Sequence, residues 1–383
     1  MPTTTSRGEE AKPDVRAAGA AALLLGELRH NPLLWLLAIV PLVFAAKVWK
    51  PDAHTLLFAL SVLAIVPLAA LLSHATEAVA AKTGDAVGGL LNATLGNLTE
   101  LIIALAALRA GQYTLVKASV AGAIVTNTLF MLGASFLVGG LRYHTQEFNR
   151  VSARLQAGLL FLATIALLVP SAVSVADAAG ARFTRQLSVG LSAVLMVAYA
   201  LGLLFSLKTH REFFASAGQA EEGEAPWPIA LALAVLAGVT VLVALVSETF
   251  VESVQHAATS FGMTPAFVGF IIVALVGAAA EMASAFSAAA KNRLDLSVGI
   301  ALGSAAQIAL FVAPVLVLVS YVMGPSPMDL QFWPGAVVMM LIATMTAALV
   351  TNSGRSAWFV GVLVLSVYLV LAMTLYLLPP RGQ

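Results

Sequence analysis

Most of the chain consists of apolar runs of 16 to 34 residues, separated by more polar segments. A helix needs about 20 consecutive apolar residues to cross the hydrocarbon core of a bilayer. Eleven such runs are found, at residues 32–47, 54–80, 86–109, 114–140, 153–176, 186–207, 226–259, 264–290, 294–322, 330–350 and 356–378. With 60% hydrophobic and 10% charged residues, the chain is unlike a soluble domain. The sequence therefore predicts an all-α polytopic membrane protein with about 11 transmembrane helices.

Polar stretches divide the chain into six predicted segments. These are a polar tail with a short apolar segment (1–31), a first helix and loop (32–53), five helices (54–207), an acidic linker (208–225), five further helices (226–378) and a C-terminal tail (379–383). The linker contains Glu221, Glu222 and Glu224. We interpret it as a solvated connection, with a weak regulatory calcium site as the alternative.

The basic residues predict how the chain is oriented in the membrane. Thirteen of the 20 Lys and Arg residues fall on the side of the N-terminus, and seven fall on the opposite side. Loops rich in Lys and Arg stay in the cytoplasm. We therefore expect a multi-pass protein of a bacterial inner membrane with a cytoplasmic N-terminus and linker. No block of basic residues indicates nucleic-acid binding, and the oligomeric state is left open.

Two apolar runs carry the same short pattern with a glutamate at its end. Gly96 precedes Glu100 by four residues, and Gly277 precedes Glu281 by four residues, 181 positions later. A carboxylate inside the bilayer is costly and usually functional. Because each half has five helices, the second half enters the membrane from the opposite side, as in inverted-repeat transporters with one shared midplane site. The alternative is a protonated glutamate that only bonds a neighbouring helix.

The residues around the two glutamates suit a hard cation. Ca²⁺ takes six to eight oxygen ligands, and these segments supply oxygen from Asn97, Thr99, Thr126, Asn127, Ser304 and Gln307. No histidine lies near either glutamate and the chain has no cysteine, which disfavours zinc and excludes thiolate sites and disulfides. The same carboxylates can hold protons, since burial and a like charge favour the neutral form. Cation and proton would then compete for one site.

Further acids lie nearer the helix ends. Glu77 lies toward the predicted cytoplasmic end of its helix, and Glu248 and Glu252 lie toward the predicted outer end of theirs. By the inverted symmetry they could line the two access routes or take part in proton exchange. The alternative is that they simply reach the headgroup region. His74 and His256 flank these acids and could tune a pH response.

Two longer segments resemble a known family. The segment GGLLNATLGNLTELIIALAALRAGQ (Gly88–Gln112) resembles the first signature repeat of the calcium/proton exchangers, within the calcium/cation antiporter superfamily. The segment GFIIVALVGAAAEMASAFSAAAKNRLDLSVGIALGSAAQIALFVAP (Gly269–Pro314) is similar to the second. The resemblance implies one N-terminal helix plus two inverted five-helix repeats. It implies alternating access and a midplane metal site built from Glu100, Glu281, Asn97, Asn127 and Gln307, with gating by Glu77 and Glu252.

The second signature departs from the family pattern. That pattern normally reads Gly-Asn-x-x-Glu followed by His, but here Ala278 and Met282 occupy the Asn and His positions. The leading hypothesis is a calcium/proton antiporter with calcium as transported substrate and no cofactor. The alternatives are a sodium or potassium/proton antiporter or a sodium/calcium exchanger. An intramembrane enzyme is a remote alternative, because the chain lacks His-Glu-x-x-His and a base near its midplane serines.

Overall fold

The computed structural model describes residue 26 and residues 31–173, 178–210 and 227–377. Within these ranges, nine helices are long and apolar enough to cross a membrane, and two further helix pairs pass the same test together. With each pair taken as one span the total is eleven, which confirms the predicted number. Most of the acidic linker, with Glu221, Glu222 and Glu224, lies outside the described residues, as do nearly all of the N-terminal tail and the C-terminal tail.

The elements are numbered here in chain order. The helices are α1 Pro32–Trp49, α2 His54–Lys82, α3 Asp85–Leu95, α4 Leu98–Arg109, α5 Tyr113–Tyr143, α6 Arg150–Ala172, α7 Gly180–Thr209, α8 Ile229–Ser260, α9 Pro265–Gly277, α10 Ala279–Ala290, α11 Leu294–Val319, α12 Pro334–Thr351 and α13 Trp358–Leu377. Two short strands, β1 Thr145–Glu147 and β2 Arg355–Ala357, lie between them.

Several helices begin where the sequence supplies a capping side chain. The Asn149 side chain accepts hydrogen bonds from the backbone N–H groups of Val151 and Ser152 at the start of α6. Thr264 does the same for Phe267 at the start of α9, where Pro265 occupies the first position. Such caps satisfy N–H groups that have no partner within the helix. They fix helix starts that an apolar pattern alone leaves uncertain.

The runs 86–109 and 264–290, each predicted as a single helix, are both broken in the middle. α3 and α4 meet at an angle of 43°, and α9 and α10 meet at 58°. The breaks fall at Gly96–Asn97 and at Ala278. Glycine is a poor helix former, and a broken helix is tolerated at membrane depth where its backbone is buried in protein. Each run is therefore one span made of two helices, and the breaks coincide with the repeated pattern.

The two halves match element by element. α4 and α10 begin and end 181 residues apart, and α5 and α11 also begin 181 residues apart. α5 contains a wide π-helical segment at Thr126–Met131, and α11 contains one at Ile308–Val312. These coincidences confirm the predicted repeat at the level of individual turns.

The strands reveal how the bent pairs run through the bundle. β1 and β2 pair antiparallel, with Thr145 opposite Ala357, so both strands lie at the same end. Between them the chain passes through five unbroken spans and the α9–α10 pair. An odd number of crossings would separate the strands, so this pair crosses the bundle once. The same count applies between Lys47, near the end of α1, and its ion-pair partner Glu252, near the end of α8. Five unbroken spans and the α3–α4 pair lie between them, so this pair also crosses the bundle once. Each repeat therefore has five crossings, and the two repeats are inverted.

The two ends of the bundle differ in what joins the helices. We call the end that carries β1 and β2 the strand end, and the opposite end the ion-pair end. The latter holds Lys47–Glu252 and a Lys117–Asp329 contact of 2.5 Å. The strand end corresponds to the predicted cytoplasmic side. α3 starts at the strand end, whereas α9 starts at the ion-pair end.

The core lies around the motif helices. α2 packs along α8, and α5 packs on the π-helical part of α9 at Val268–Val273. At this contact a Cβ on Gly122 would collide with the backbone of Phe270, so the backbones of α5 and α9 touch. This close approach fixes α9 in the centre of the bundle.

Candidate cation-binding site

Each motif glutamate lies in the first turn of the helix that follows a break. Glu100 lies in the first turn of α4, after Asn97, and Glu281 lies in the first turn of α10, after Ala278. The first turn of a helix carries unpaired N–H groups and a partial positive charge. Both breaks therefore favour a negative charge at the same place, near the middle of the bundle.

The glutamate of the first repeat reaches into the break of the second. A Cβ on Gly277 would lie 2.9 Å from Glu100 Cγ and 3.3 Å from Glu100 Cδ. Only glycine leaves room for this side chain, which is 9% exposed. Glu281 lies close enough to interact electrostatically with Glu100, and the Ser304 side chain lies beside it. The structure thus brings the two predicted glutamates together.

An amide pair links the first break to the second repeat. Asn97 Nδ2 donates to Gln307 Oε1 at 2.5 Å, which joins the start of α4 to α11. Asn97 is buried, and none of the described residues forms a hydrogen bond with its Oδ1 atom. Two of the predicted amide residues therefore meet directly, one from each repeat.

Four buried oxygens of the candidate ligand side chains have no hydrogen-bond partner among the residues that the structure describes. They belong to side chains that the sequence predicted as ligands, and they are Asn97 Oδ1, Glu100 Oε1, Asn127 Oδ1 and Glu281 Oε2. A buried polar atom without a partner is costly, and oxygens from carboxylates and amides are the ligands that Ca²⁺ takes. The described side chains contain no group of three or more His, Asp or Glu that could hold a metal. The oxygen set therefore mixes two carboxylates with amides.

The second break has apolar surroundings. Ala278 and Met282 are buried in one cluster with residues of α5 and α11, which are Met131, Leu132, Phe136, Val298, Ala301 and Leu302. In the sequence, Asn127 follows Thr126, the position equivalent to Gln307 in the first repeat. Within the described part of the chain, neither its Nδ2 nor its Oδ1 has a hydrogen-bond partner. The cross-repeat amide pair made by Asn97 is thus absent at Ala278.

Comparison with known proteins identifies the family. Residues 53–208 and 231–377 match the family described as sodium/calcium exchanger protein. The chain belongs to this family. It is 42% identical over 366 residues to the Ca²⁺/H⁺ antiporter ChaA of Bacillus subtilis, covering 94% of this chain and 97% of that one. It is 39% identical over 369 residues to the Ca²⁺/H⁺ antiporter of Aphanothece halophytica, covering 92% and 98%.

A solved structure agrees with this assignment. The structure of native YfkE superposes with a TM-score of 0.79 at 37% sequence identity, and the match covers 90% of this chain and all of that one. The resemblance to the calcium/proton exchangers of the calcium/cation antiporter superfamily is therefore confirmed. The chain is an integral, multi-pass membrane protein of a transporter family.

In this exchanger the three acids near the helix ends stand apart from the central pair. Glu248 Oε1 lies 3.1 Å from Arg109 Nη1, and Glu252 Oε2 lies 2.8 Å from Lys47 Nζ, both at the ion-pair end. Glu77 is exposed nearer the strand end and accepts from Ser73 Oγ at 3.3 Å. Their predicted part in access or proton exchange stays a prediction.

The two flanking histidines make ring contacts. The His256 ring stacks on His54 with centroids 4.1 Å apart, which joins the end of α8 to the start of α2. The His74 ring lies 4.5 Å from Trp227. These contacts place His256 at the ion-pair end of the exchanger and His74 in α2 near Glu77.

Sequence reasoning missed two tyrosines beside the site. Tyr199 donates from its hydroxyl to the Ala93 carbonyl in α3 at 2.7 Å. The Tyr368 hydroxyl lies 3.4 Å from Thr126 Oγ1 in α5. A buried tyrosine usually needs a hydrogen-bond partner, and that general rule is the only signal that could have singled them out.

Proposed function

We propose that the chain exchanges Ca²⁺ for protons across a membrane, and that Glu100 and Glu281 bind cation or protons in competition. The observation that carries this proposal is the contact of Glu100 with Gly277 of the opposite repeat, with Glu281 close enough to interact electrostatically with Glu100. Asn97, Asn127 and Gln307 would complete the ligand set. Relatives named Ca²⁺/H⁺ antiporter support the choice of ions.

Electrostatics gives a reason why the transport of Ca²⁺ in one direction would be coupled to the transport of protons in the other. Two unneutralised carboxylates in a low-dielectric interior are costly. Either one Ca²⁺ or two protons would neutralise the pair formed by Glu100 and Glu281. The loaded site can then move between the two ends, whereas the empty one is held back, which prevents a leak.

The unequal packing of α3 and α9 supports alternating access. α9 is packed against α5, α2 and α4, with Val268, Gly269 and Phe270 buried. α3 packs mainly on α2 and the end of α7, and Gly88 is its only buried residue among those whose side chains are described. We infer that this state opens toward the strand end. Movement of α3 inward and α9 outward would give the opposite state.

On this proposal Ca²⁺ is cargo rather than a resident cofactor, and the chain acts as an antiporter and not as an enzyme. The protein would lie in a bacterial inner membrane with the strand end in the cytoplasm. Glu77 would then lie toward the inner access route, and Glu248 and Glu252 toward the outer one. These assignments rest on the inverted arrangement of the repeats.

The function is tested with the native chain in proteoliposomes. Calcium uptake is measured under an imposed pH gradient, and separately under an imposed sodium or potassium gradient at constant pH. We expect uptake to follow the pH gradient alone. Uptake driven by sodium would favour the sodium/calcium exchanger alternative, and movement of monovalent cations without calcium would contradict the proposal.

A further inference from the structure

Tyr199 contacts both elements that meet at the candidate site. It lies on α7, outside the motif helices, and is 9% exposed. Its hydroxyl donates to the Ala93 carbonyl at 2.7 Å. Its ring stacks on Phe311 of α11, with ring centroids 5.4 Å apart and planes at 28°.

The Ala93 carbonyl is available because the helix is broken. α3 ends at Leu95, so Ala93 lies in its last turn, where carbonyls have no donor within the helix. A carbonyl without a donor at membrane depth is costly unless another group satisfies it. The Tyr199 hydroxyl is such a group, and it comes from a different helix.

The two contacts of Tyr199 lie on either side of the amide pair. Ala93 is four residues before Asn97, and Phe311 is four residues after Gln307. Asn97 and Gln307 are the residues that hold the first break against α11 at 2.5 Å. Tyr199 therefore joins, one turn away on each side, the same two elements that the amide pair joins.

We propose that Tyr199 is a positioning residue, which holds α3 and α11 so that Asn97 and Glu100 keep the geometry for cation binding. It would act through the Asn97–Gln307 pair and not as a ligand. This inference rests on the proposed function, since it concerns the affinity of the same cation site.

Tyr368 supplies a matched control within the chain. The centroid of its ring lies 5.2 Å from that of Phe130, which is the repeat equivalent of Phe311. In each repeat, therefore, a tyrosine of the last helix packs on the third span of the opposite repeat. The Tyr368 hydroxyl, however, lies by Thr126 on that same span, α5. The carbonyl equivalent to that of Ala93 belongs to Ala274, and it accepts from Ala278 N at 3.2 Å. Tyr368 therefore does not secure the second break.

The test compares Tyr199→Phe with Tyr368→Phe in proteoliposomes. Each variant keeps its ring and loses one hydroxyl. For Tyr199→Phe we expect the KM for calcium to rise about fivefold to tenfold, the loss that corresponds to one buried hydrogen bond, with Vmax per folded transporter nearly unchanged. For Tyr368→Phe we expect a change of less than about twofold. An unchanged KM in Tyr199→Phe, or an equal rise in both variants, would overturn the inference.

A double variant separates positioning from general stability. If Tyr199 acts through the amide pair, Tyr199→Phe adds little to the KM of Gln307→Ala, because coupled residues are not additive. Fully additive effects contradict the inference. Should Tyr199→Phe fail to reach the membrane, Phe311→Leu weakens the same contact from α11 and should raise the KM in the same direction.

The two proposals fail in different ways. A native chain that takes up no calcium under a pH gradient contradicts the proposed function. The comparison then runs with whichever cation the native chain exchanges, and the same rise in KM is expected for Tyr199→Phe. A native chain that exchanges calcium while Tyr199→Phe retains its KM contradicts only the role of Tyr199.

Discussion

The α3–α4 and α9–α10 pairs occupy equivalent places in the two repeats, yet they differ in packing and in chemistry. α9 is enclosed by the core, whereas α3 stands at the edge of it. The first break is polar, with Asn97 bonded to Gln307, and the second is apolar around Ala278. Shared glycines and apolar runs therefore give both repeats the same backbone. A few side chains and the conformational state make the two halves of the site different.

The largest expected effect on calcium uptake comes from replacing the glutamate that follows each break. Replacing either Glu100 or Glu281 by Gln removes a charge that the opposite repeat cannot supply, so we expect calcium uptake to fall by about a hundredfold or more. Uptake per folded transporter in proteoliposomes is the measurement. Glu147→Gln, at the exposed end of β1, is the control and should transport as the native chain does.

An unequal result would refine the comparison. If Glu281→Gln retained most of its uptake while Glu100→Gln lost it, one carboxylate would suffice for the cation. The two repeats would then differ in function as well as in surroundings. Retained uptake in both variants would show that the site assignment is wrong.

The membrane spans and the two central glutamates were predictable from the sequence for physical reasons, whereas the helix breaks were not. Long apolar runs predict spans because the bilayer has a fixed thickness, and Glu100 and Glu281 stand out because their burial is costly. The sequence does not decide between close helix packing and a local break at Gly96 and Gly277, because the apolar pattern continues through both and glycine is common inside transmembrane helices.

Other features depend on tertiary structure and leave no local signal. The Tyr199 hydroxyl donates to the backbone carbonyl of Ala93. Every residue type has such a carbonyl, so the identity of residue 93 gives no signal of this hydrogen bond. On the proposed alternating-access mechanism, the different packing of α3 and α9 reflects which of two states the chain occupies, and both states share one sequence. The lack of a partner for Asn127 becomes visible only when Ala278 is compared with Asn97.

Gly122 and Gly303 test whether α3 packs against α11 in the opposite state, as α9 packs against α5 in this one. Gly122 faces the Phe270 backbone in α9, whereas the nearest atom to a Cβ on Gly303 is Gln156 Oε1 at 3.9 Å. By the repeat, Gly303 would meet the backbone of Gly89 in the opposite state. We therefore expect Gly303→Ala to fold normally but to slow turnover about tenfold or more, since overpacking would destabilise the opposite state.

The controls for this pair are thermal stability and a neutral glycine. Gly303→Ala should match the native chain in melting temperature, while Gly122→Ala should yield little folded protein because its Cβ collides with backbone. Gly158→Ala should leave turnover unchanged, because no atom of the described residues lies within 4 Å of the added Cβ. Native turnover in Gly303→Ala would show that α3 does not pack on α11 in the transport cycle.

Gly277→Ala tests the contact between the repeats at the site itself. The added Cβ would lie 2.9 Å from Glu100 Cγ, so the glutamate must shift. We expect the KM for calcium to rise about tenfold, the loss that corresponds to about 1.4 kcal/mol of binding free energy, with turnover at saturating calcium less affected. Calcium-dependent uptake at several concentrations measures the change, again with Gly158→Ala beside it. An unchanged KM would mean that the position of Glu100 in this state is not the one that binds the cation.

The smallest expected effect comes from restoring the amide that the second break lacks. In Ala278→Asn the new side chain would lie at the position equivalent to Asn97, and by the repeat we expect it to face Asn127. The Nδ2 and Oδ1 atoms of Asn127 have no hydrogen-bond partner among the described residues. A further oxygen ligand and a satisfied amide should lower the KM for calcium by about threefold to fivefold. Ala278→Val fills similar space in the apolar cluster without an amide and should raise the KM or leave it unchanged. If both variants shift the KM in the same direction, side-chain volume at the second break governs affinity. If only Ala278→Asn lowers it, the polar difference between the two breaks does.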